Sequence, residues 1–273
     1  MHLCRIVGIP LSLHWSFLVL LAYLGWSGWS AAEWLGFSWV LSYAISVFAC
    51  VVLHEFGHAV VAQKFGIQVP RIVLLPIGGM AEFDRIPESS RAEILIALAG
   101  PMVNALLVLL LFAVGVRFPA HWDALVFPLT LAEFGRHLLA MNIAMGLFNL
   151  LPIFPMDGGR VLRAALSLQC DHFRATQVSA GIGKVLAVAG ILVMFFAFAS
   201  PHWMGAVLFG FIFMAGEMEV RALRQMEVQE RQWRETIERY YQQTEDAVRL
   251  IVIESPPVNP AAEKNSLRSN SQL

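Results

Sequence analysis

The amino-acid sequence predicts an all-α polytopic membrane protein with about six transmembrane helices and small membrane-associated β-strands, including one hairpin. Hydrophobic residues make up 58% of the 273 residues, whereas charged residues make up only 14%. The mean hydropathy of +0.64 lies far from the balance of a soluble globular protein. The apolar residues also fall in runs of about 20, the length that a helix needs to cross the hydrocarbon of a bilayer.

Six apolar runs can be placed along the chain, and each run predicts one transmembrane helix. Their approximate bounds are 13–30, 38–63, 92–116, 129–151, 178–199 and 202–217. The last two runs are short and are separated by Ser200-Pro201, so one kinked helix is the alternative interpretation of this pair. Between the second and third runs, residues 69–84 have aliphatic side chains on either side of Gly78-Gly79, which predicts the hairpin. Residues 5–15 predict a further strand.

The basic residues predict the orientation of these helices, because cytoplasmic loops carry an excess of Lys and Arg. One side of the membrane receives Arg5, Lys64, Arg71, Arg85, Arg91, Arg160, Arg163, Arg174 and the Arg-rich segment after Glu217. Only Arg117 and Arg136 fall on the other side, so both termini are expected in the cytoplasm. The N-terminus has no basic region followed by a cleavage site, so we expect no removable signal peptide. We expect an integral protein of the bacterial inner (plasma) membrane, because the chain is compact; an organellar membrane is the alternative.

The net charge of −1 argues against nucleic acid as a partner, because nucleic-acid-binding surfaces are strongly basic. The three cysteines, Cys4, Cys50 and Cys170, lie far apart and show neither metal-binding nor redox spacing. They are predicted to be unpaired thiols.

The second predicted helix contains the motif HEFGH, with His54, Glu55 and His58. The spacing places two imidazoles one helical turn apart on one face, where both can bind a single Zn²⁺. The intervening glutamate does not coordinate the metal but can act on the attacking water as a general base. Ionisable residues are costly inside a membrane and are usually retained for function. The alternative interpretation is a pair of packing histidines with a glutamate counter-ion.

A catalytic zinc site needs a third protein ligand, and Asp157 in NLLPIFPMDGGR is the candidate. It follows the fourth predicted helix at the cytoplasmic end, the depth expected for the two histidines. Other carboxylates lie at helix ends, namely Glu82, Glu93, Glu133 and Glu217. Glu133 is on the opposite side, and the others lack the flanking Pro and Gly-Gly of a ligand-bearing turn. The alternative for Asp157 is the N-cap of a helix that begins at Gly158-Gly159.

Together, HEFGH and NLLPIFPMDGG resemble the site-2 protease family, the intramembrane zinc metalloproteases that include the stage IV sporulation protease. PIGGMAEF at 76–83 and ALAGPMVN at 97–104 resemble further patterns of this family. The resemblance covers about residues 1–217. It implies one zinc ion per chain, bound by His54, His58 and Asp157, and Glu55 as the catalytic base. It also implies that Asn149 and Pro155 line a substrate cleft.

The implied function is an intramembrane zinc-dependent endopeptidase that cleaves transmembrane proteins in or near their membrane-spanning segments, usually to release a regulator. The predicted partners are such a substrate and the lipid bilayer. The hairpin with Gly78 and Gly79 is a candidate for pairing with an unwound substrate strand; an interfacial hairpin without substrate contact is the alternative. His14 is expected to form interfacial hydrogen bonds rather than to be a fourth ligand. A metal transporter and an inactive membrane-binding homologue are the other hypotheses for the whole protein.

The predicted domains are a transmembrane metalloprotease domain at 1–217, a cytoplasmic amphipathic helix at 218–254 and a disordered tail at 255–273. The helix has apolar residues at a rough 3-4 spacing, which is typical of a helix lying on a protein or membrane surface. The alternative is a regulatory or self-association contact through this helix. Neither a PDZ domain nor paired CBS domains fit into the chain outside the predicted helices.

Overall fold

The computed structural model describes residues 2–76, 78–85, 87, 89–118, 130–196 and 203–254. This part of the chain is mostly helical, with six helices and one four-stranded sheet, which confirms the predicted fold class in outline. The elements in chain order are β1 (His2–Ile6), β2 (Ile9–Leu13), α1 (Trp15–Lys64), β3 (Arg71–Leu75), β4 (Gly78–Glu82), α2 (Ser90–Ala113), α3 (Leu131–Asn149), α4 (Asp157–Leu166), α5 (His172–Phe196) and α6 (Trp203–Glu254).

Helix α1 contains the first two predicted spans, folded back on each other. The backbone leaves the helical conformation at Ala32 and Glu33. The rings of Phe17 and Phe48 are in edge-to-face contact at 4.3 Å, although a straight helix would separate them by about 46 Å. The two halves of α1 therefore run antiparallel, and the second half carries HEFGH to the end of the helix at Lys64.

Three described helices, α1, α2 and α5, are long and apolar enough to cross a membrane. Helix α3 and the beginning of α6 overlap the fourth and sixth predicted spans. That these two also cross the bilayer stays a prediction, as does the orientation of the termini.

Helices α5 and α6 pack side by side as an antiparallel pair. Phe195 and Trp203 have their ring centroids 4.9 Å apart at one end of the pair. A Cβ at Gly190 would lie 2.5 Å from the ring of Phe209, and Lys184 forms an ion pair with Glu217 further along. A single kinked helix across residues 178–217 is therefore the wrong interpretation. The connecting residues 197–202 lie outside the described residues.

The four strands form one sheet in the order β1-β2-β3-β4. Strands β2 and β3 are parallel, and the other two pairs are antiparallel. The predicted strand at 5–15 is thus a pair of strands, joined by a turn with Val7 and Gly8 at positive φ. The sheet packs on the second half of α1 through a buried apolar cluster that includes Ile9, Ile72, Phe56, Ala59 and Ile96.

The predicted hairpin is present, but its turn is not at Gly78-Gly79. Leu75 pairs with Gly78, so the turn lies between these residues, and both glycines belong to β4. Pro76 suits a turn because it has no N–H to donate to a strand ladder. Gly79 lets β4 pass close to α1, because a Cβ at this position would meet the side chains of Glu55 and Val51.

The first turn of α2, helix α4 and helix α6 meet at an ion cluster. The guanidinium of Arg163 forms an ion pair with Glu93, and its Nη1 lies 2.9 Å from Oε1 of Glu219. The side chains of Arg163 and Glu93 are buried, so each requires the other to offset the loss of hydration.

Contacts divide the chain into two compact units, residues 1–221 and 222–273. In the second unit, α6 continues to Glu254, and most of its described side chains are exposed. The predicted domain bounds stay predictions. The tail at 255–273 lies outside the described residues.

Candidate metal and catalytic site

Two imidazoles from one face of α1 form the first half of the candidate site. His54 and His58 are buried, with 4% and 3% of their surface exposed. Their Nε2 atoms are 3.1 Å apart. The helical spacing of four residues produces this arrangement, because residues i and i+4 lie above each other on a helix.

Asp157, the first residue of α4, completes the group from a distant part of the chain. Its Oδ2 lies 3.2 Å from Nε2 of His54 and 3.2 Å from Nε2 of His58. Among the described residues, these three side chains form the one group of His, Cys, Asp or Glu that could hold a metal ion. The N-cap of α4 is Met156 rather than Asp157, so the capping alternative is wrong.

The Gly-Gly pair after Asp157 allows α4 to begin against the preceding loop. A Cβ at Gly158 would lie 2.4 Å from the carbonyl oxygen of Leu151, and one at Gly159 would lie 2.7 Å from the carbonyl carbon of Ile153. Any other residue type would push the first turn of α4, and Asp157 with it, away from the loop. The Phe154–Pro155 peptide bond in this loop is cis.

The outer nitrogens of both histidines face acceptors, which fixes the tautomers. Nδ1 of His58 lies 2.7 Å from the carbonyl oxygen of Ile96, and Nδ1 of His54 lies 2.5 Å from Oδ1 of Asn104. Each Nδ1 therefore carries the proton and donates, and each Nε2 is left with a lone pair. A second hydrogen bond of this type is the usual support for a metal-binding histidine.

Three unprotonated atoms consequently face one another in a buried space. Two are imidazole nitrogens and the third is Oδ2 of Asp157, which has no hydrogen-bond donor among the described residues. Such a cluster is repulsive unless a cation lies between its members. The separations of 3.1–3.2 Å are close to about 3.3 Å, the edge of a tetrahedron with metal–ligand distances of roughly 2.0–2.1 Å. The donor set therefore fits one zinc ion.

Helix α2 passes directly beside the imidazoles at Gly100. A Cβ at this position would lie 2.5 Å from Cε1 of His58 and 2.6 Å from Nε2 of His54. Glycine at 57 allows the same approach from α1, since a Cβ there would lie 2.7 Å from the carbonyl oxygen of Ala99. The close packing of α1 on α2 thus depends on both glycines.

Glu55 is half-buried and faces the sheet. Its Oε2 accepts a hydrogen bond from the backbone N–H of Ala81 in β4 at 3.2 Å. A Cβ at Gly79 would lie 2.6 Å from Cγ of Glu55. Strand β4 therefore lies against the predicted catalytic base.

Each carboxylate that competed with Asp157 as the third ligand has another partner. Glu82 pairs with Arg71, Glu93 with Arg163, Glu217 with Lys184, and Glu133 forms a capping box with Thr130. The hydrogen bond from Arg71, at 2.8 Å, holds the pKa of Glu82 below its ordinary value. These interactions leave Asp157 as the carboxylate that faces the histidines.

The remaining predicted site residues lie in the segment before Asp157 and in β4. Asn149 is the last residue of α3 and is half-buried, and Pro155 is exposed two residues before Asp157. Gly78 and Gly79 are in β4, with Gly79 beside Glu55. Contact of these four residues with a substrate stays a prediction. His14 is the N-cap of α1 and hydrogen-bonds with Ser16, as expected for a residue outside the metal group.

The sequence analysis did not assign Asn104 or Gly100 to the site. Both lie in ALAGPMVN, so the signal was a polar residue and a glycine inside a predicted transmembrane helix. Gly100-Pro101 predicts close packing of this helix on the helix with HEFGH, and the structure has that packing at Gly100. The spacing along α2 does not reveal which side chains Asn104 contacts.

Comparisons with known proteins identify similar chains, among them proteins named as zinc metalloproteases. The sequence profile of Peptidase family M50 matches residues 42–134 and 126–196. The chain is 35% identical over 222 residues to zinc metalloprotease MJ0392 of Methanocaldococcus jannaschii, covering 81% of this chain and 61% of that protein. It is 32% identical over 226 residues to the putative zinc metalloprotease Rip3 of Mycobacterium tuberculosis, covering 76% of this chain and 54% of that protein. The chain thus spans little more than half the length of these curated relatives.

A solved structure, the site-2 protease from Methanocaldococcus jannaschii, is similar in fold as well as in sequence. The TM-score is 0.57 at 34% identity, and the match covers 81% of this chain and 94% of that chain. Since the profile also matches more than half of the 273 residues, the chain belongs to peptidase family M50, the family of the site-2 proteases.

Proposed function

We propose that this protein is a zinc-dependent intramembrane endopeptidase that hydrolyses peptide bonds in or near the transmembrane segments of other proteins. The observation that carries the proposal is the convergence of His54, His58 and Asp157, with Glu55 next to His54 on the same helix. Membership of the M50 family and the names of the zinc metalloprotease relatives support it.

In this proposal His54, His58 and Asp157 hold one zinc ion through their facing atoms. Two imidazoles and one carboxylate leave a fourth position open, which is the arrangement of a catalytic rather than a structural zinc site. A bound zinc ion supplies Lewis acidity, which lowers the pKa of water towards about 7 and polarises the carbonyl under attack.

Glu55 is the general base and then the general acid. Its carboxylate accepts a proton from the attacking water and later delivers that proton to the leaving amine. The side chain is held in place on one side by the Ala81 N–H and on another by the backbone of Gly79. Water has to reach the buried side chains of His54, His58 and Asp157. We therefore expect a polar passage to the cytoplasm near Asp157.

Strand β4 is the proposed docking element for the substrate. A substrate helix must unwind before a carbonyl can be attacked, because its amides are bonded within the helix. Strand β4 is the last strand of the sheet, and the N–H of Ala81 on its outer edge points to Glu55. An extended substrate added to that edge would lie along Gly78 and Gly79, next to the base. Asn149 and Pro155 would line the other side of the cleft.

The substrate is a transmembrane protein, cleaved to release a regulator, and the enzyme works within the bilayer. We place it in a bacterial inner membrane with both termini in the cytoplasm. The helical region at 218–254 is the proposed place for a regulatory or self-association contact.

A metal transporter is the alternative that uses the same ligands. Transport needs further ligands along a path through the membrane. The described part of the chain offers one group that could hold a metal, at His54, His58 and Asp157. This favours catalysis over transport.

The experiment compares membrane proteomes of cells that produce the wild-type protein or the Glu55→Gln variant. We expect fragments with new ends inside or beside transmembrane segments in wild-type cells alone, and equal zinc in both purified proteins. The purified enzyme should cleave a substrate found this way. A chelator should inhibit this cleavage, and added Zn²⁺ should restore it. Identical fragments from the Glu55→Gln variant would reject the assigned base, and zinc uptake by vesicles without any cleavage would favour the transporter.

A further inference from the structure

Asn142 in α3 is completely buried, at 0% exposure, and its side-chain hydrogen bonds join it to Asn104, Leu138 and Cys50 rather than to the proposed metal ligands. Asn104 in turn contacts His54. We infer that Asn142 is a positioning residue that fixes the orientation of the Asn104 amide and thereby determines which nitrogen of His54 faces the metal. This inference rests on the proposed metal site.

The direction of the hydrogen bonds begins at the backbone of α3. Nδ2 of Asn142 lies 2.8 Å from the carbonyl oxygen of Leu138. A carbonyl oxygen can only accept, so the amino group of Asn142 must face it. The carbonyl group of the same side chain is therefore directed to Asn104, at 3.2 Å from its Nδ2.

The second step fixes Asn104. Because Oδ1 of Asn142 is an acceptor, Asn104 must present its amino group to it. The other end of the Asn104 amide, its Oδ1, is then the atom next to Nδ1 of His54. His54 must donate through Nδ1, which leaves the lone pair of Nε2 directed to Asp157 and His58.

A reversed Asn104 amide would undo this arrangement. Its amino group would then face Nδ1 of His54, which could only accept, and the imidazole proton would move to Nε2. A protonated Nε2 cannot bind a metal. The tautomer of His58 does not depend on a side-chain amide. Its Nδ1 donates to the backbone carbonyl of Ile96, and a backbone carbonyl cannot exchange its oxygen for a donor. His54 alone depends on an amide that has two orientations, and Asn142 selects one of them.

The test uses three side chains of nearly equal shape at position 142. In the Asn142→Asp variant the buried carboxylic acid is expected to be neutral, so it can donate to Leu138 and accept from Asn104. Its zinc affinity should stay near the wild-type value. The Asn142→Leu variant cannot select an orientation of Asn104. Its zinc affinity should fall by about tenfold, the lower end of the effect of second-shell substitutions.

The measurement is Zn²⁺ affinity of the purified protein in detergent, by competition with a coloured chelator. Cys50→Ala is the matched control, since Sγ of Cys50 contacts the same amino group of Asn142 at 3.4 Å but is not needed to orient it. Equal affinities for Asn142→Leu and wild type would overturn the inference. So would a loss in Asn142→Asp, or in Cys50→Ala, as large as that in Asn142→Leu.

A second background separates orientation from packing. In the Asn104→Leu variant no amide contacts Nδ1 of His54, so Asn142 has no amide to orient. Adding Asn142→Leu to this background should change zinc affinity by less than twofold, whereas a loss equal to that in the wild-type background would overturn the inference. Failure of the proposed metal site looks different, because the wild-type protein would then not bind Zn²⁺ through His54, His58 and Asp157 at all, whereas failure of the proteolytic function alone would leave zinc binding in place and abolish cleavage.

Discussion

Gly79 of β4 lies directly against the side chain of Glu55, so close that a Cβ at position 79 would stand 2.6 Å from Cγ of the glutamate. The glycine lets the sheet edge reach the proposed base, and the Ala81 N–H two residues later holds the carboxylate. The proposed catalytic base and the strand proposed to dock the substrate are thereby held against each other.

The Gly79→Ala variant should lose proteolytic activity and keep its zinc. The added methyl must displace either Glu55 or β4, and a misplacement of about 1 Å can reduce the rate by about 10²-fold. The measurement is cleavage of a membrane substrate, together with metal analysis of the same preparation. Gly181→Ala is the control, because a Cβ there has no heavy atom within 4 Å. Full activity of Gly79→Ala would mean that β4 does not position the base.

Gly100→Ala should show the opposite pattern and lose zinc. Its methyl would occupy space next to the imidazoles of His54 and His58, which cannot move without changing the distances between the metal ligands. We expect a drop in zinc affinity of at least about tenfold, comparable to second-shell losses. Gly210→Ala provides the control, since its Cβ would also meet no atom within 4 Å. Unchanged affinity in Gly100→Ala would place the metal elsewhere.

Arg163→Met should destabilise the fold. The substitution leaves the carboxylate of Glu93, which is 2% exposed, buried without its ion-pair partner. The loss of one partner of a buried pair lowers the free energy of unfolding by about 3–5 kcal/mol. Thermal unfolding in detergent should detect this as a lower Tm, partly restored in the double variant Arg163→Met, Glu93→Met. An unchanged Tm in the single variant would show that the ion pair contributes little.

Local patterns in the sequence were sufficient to predict part of the candidate metal site. HEFGH predicted two facing imidazoles because the spacing of four residues is a property of the helix itself. Asp157 could be selected because the predicted topology placed it at the same depth as His54 and His58. Lengths of apolar runs predicted the two halves of α1, but they left open whether α5 and α6 are two helices or one kinked helix.

Features that depend on tertiary packing could not be predicted. Gly78-Gly79 suggested a turn, but the glycines are in β4 because the backbone approaches Glu55 there. The hydrogen bond between Asn104 and Asn142 joins residues 38 positions apart, and it exists only because α2 and α3 pack at that depth. Each asparagine by itself indicated no more than a polar contact within the membrane.

The central claim is that His54, His58 and Asp157 share one zinc ion. Crystals of the purified protein, measured at and below the zinc absorption edge, test it most directly by anomalous scattering. The account predicts one strong peak per chain, about 2.0–2.2 Å from Nε2 of His54, Nε2 of His58 and Oδ2 of Asp157. A peak bound to other residues, or protein loaded with zinc that shows no peak between these three side chains, would contradict it.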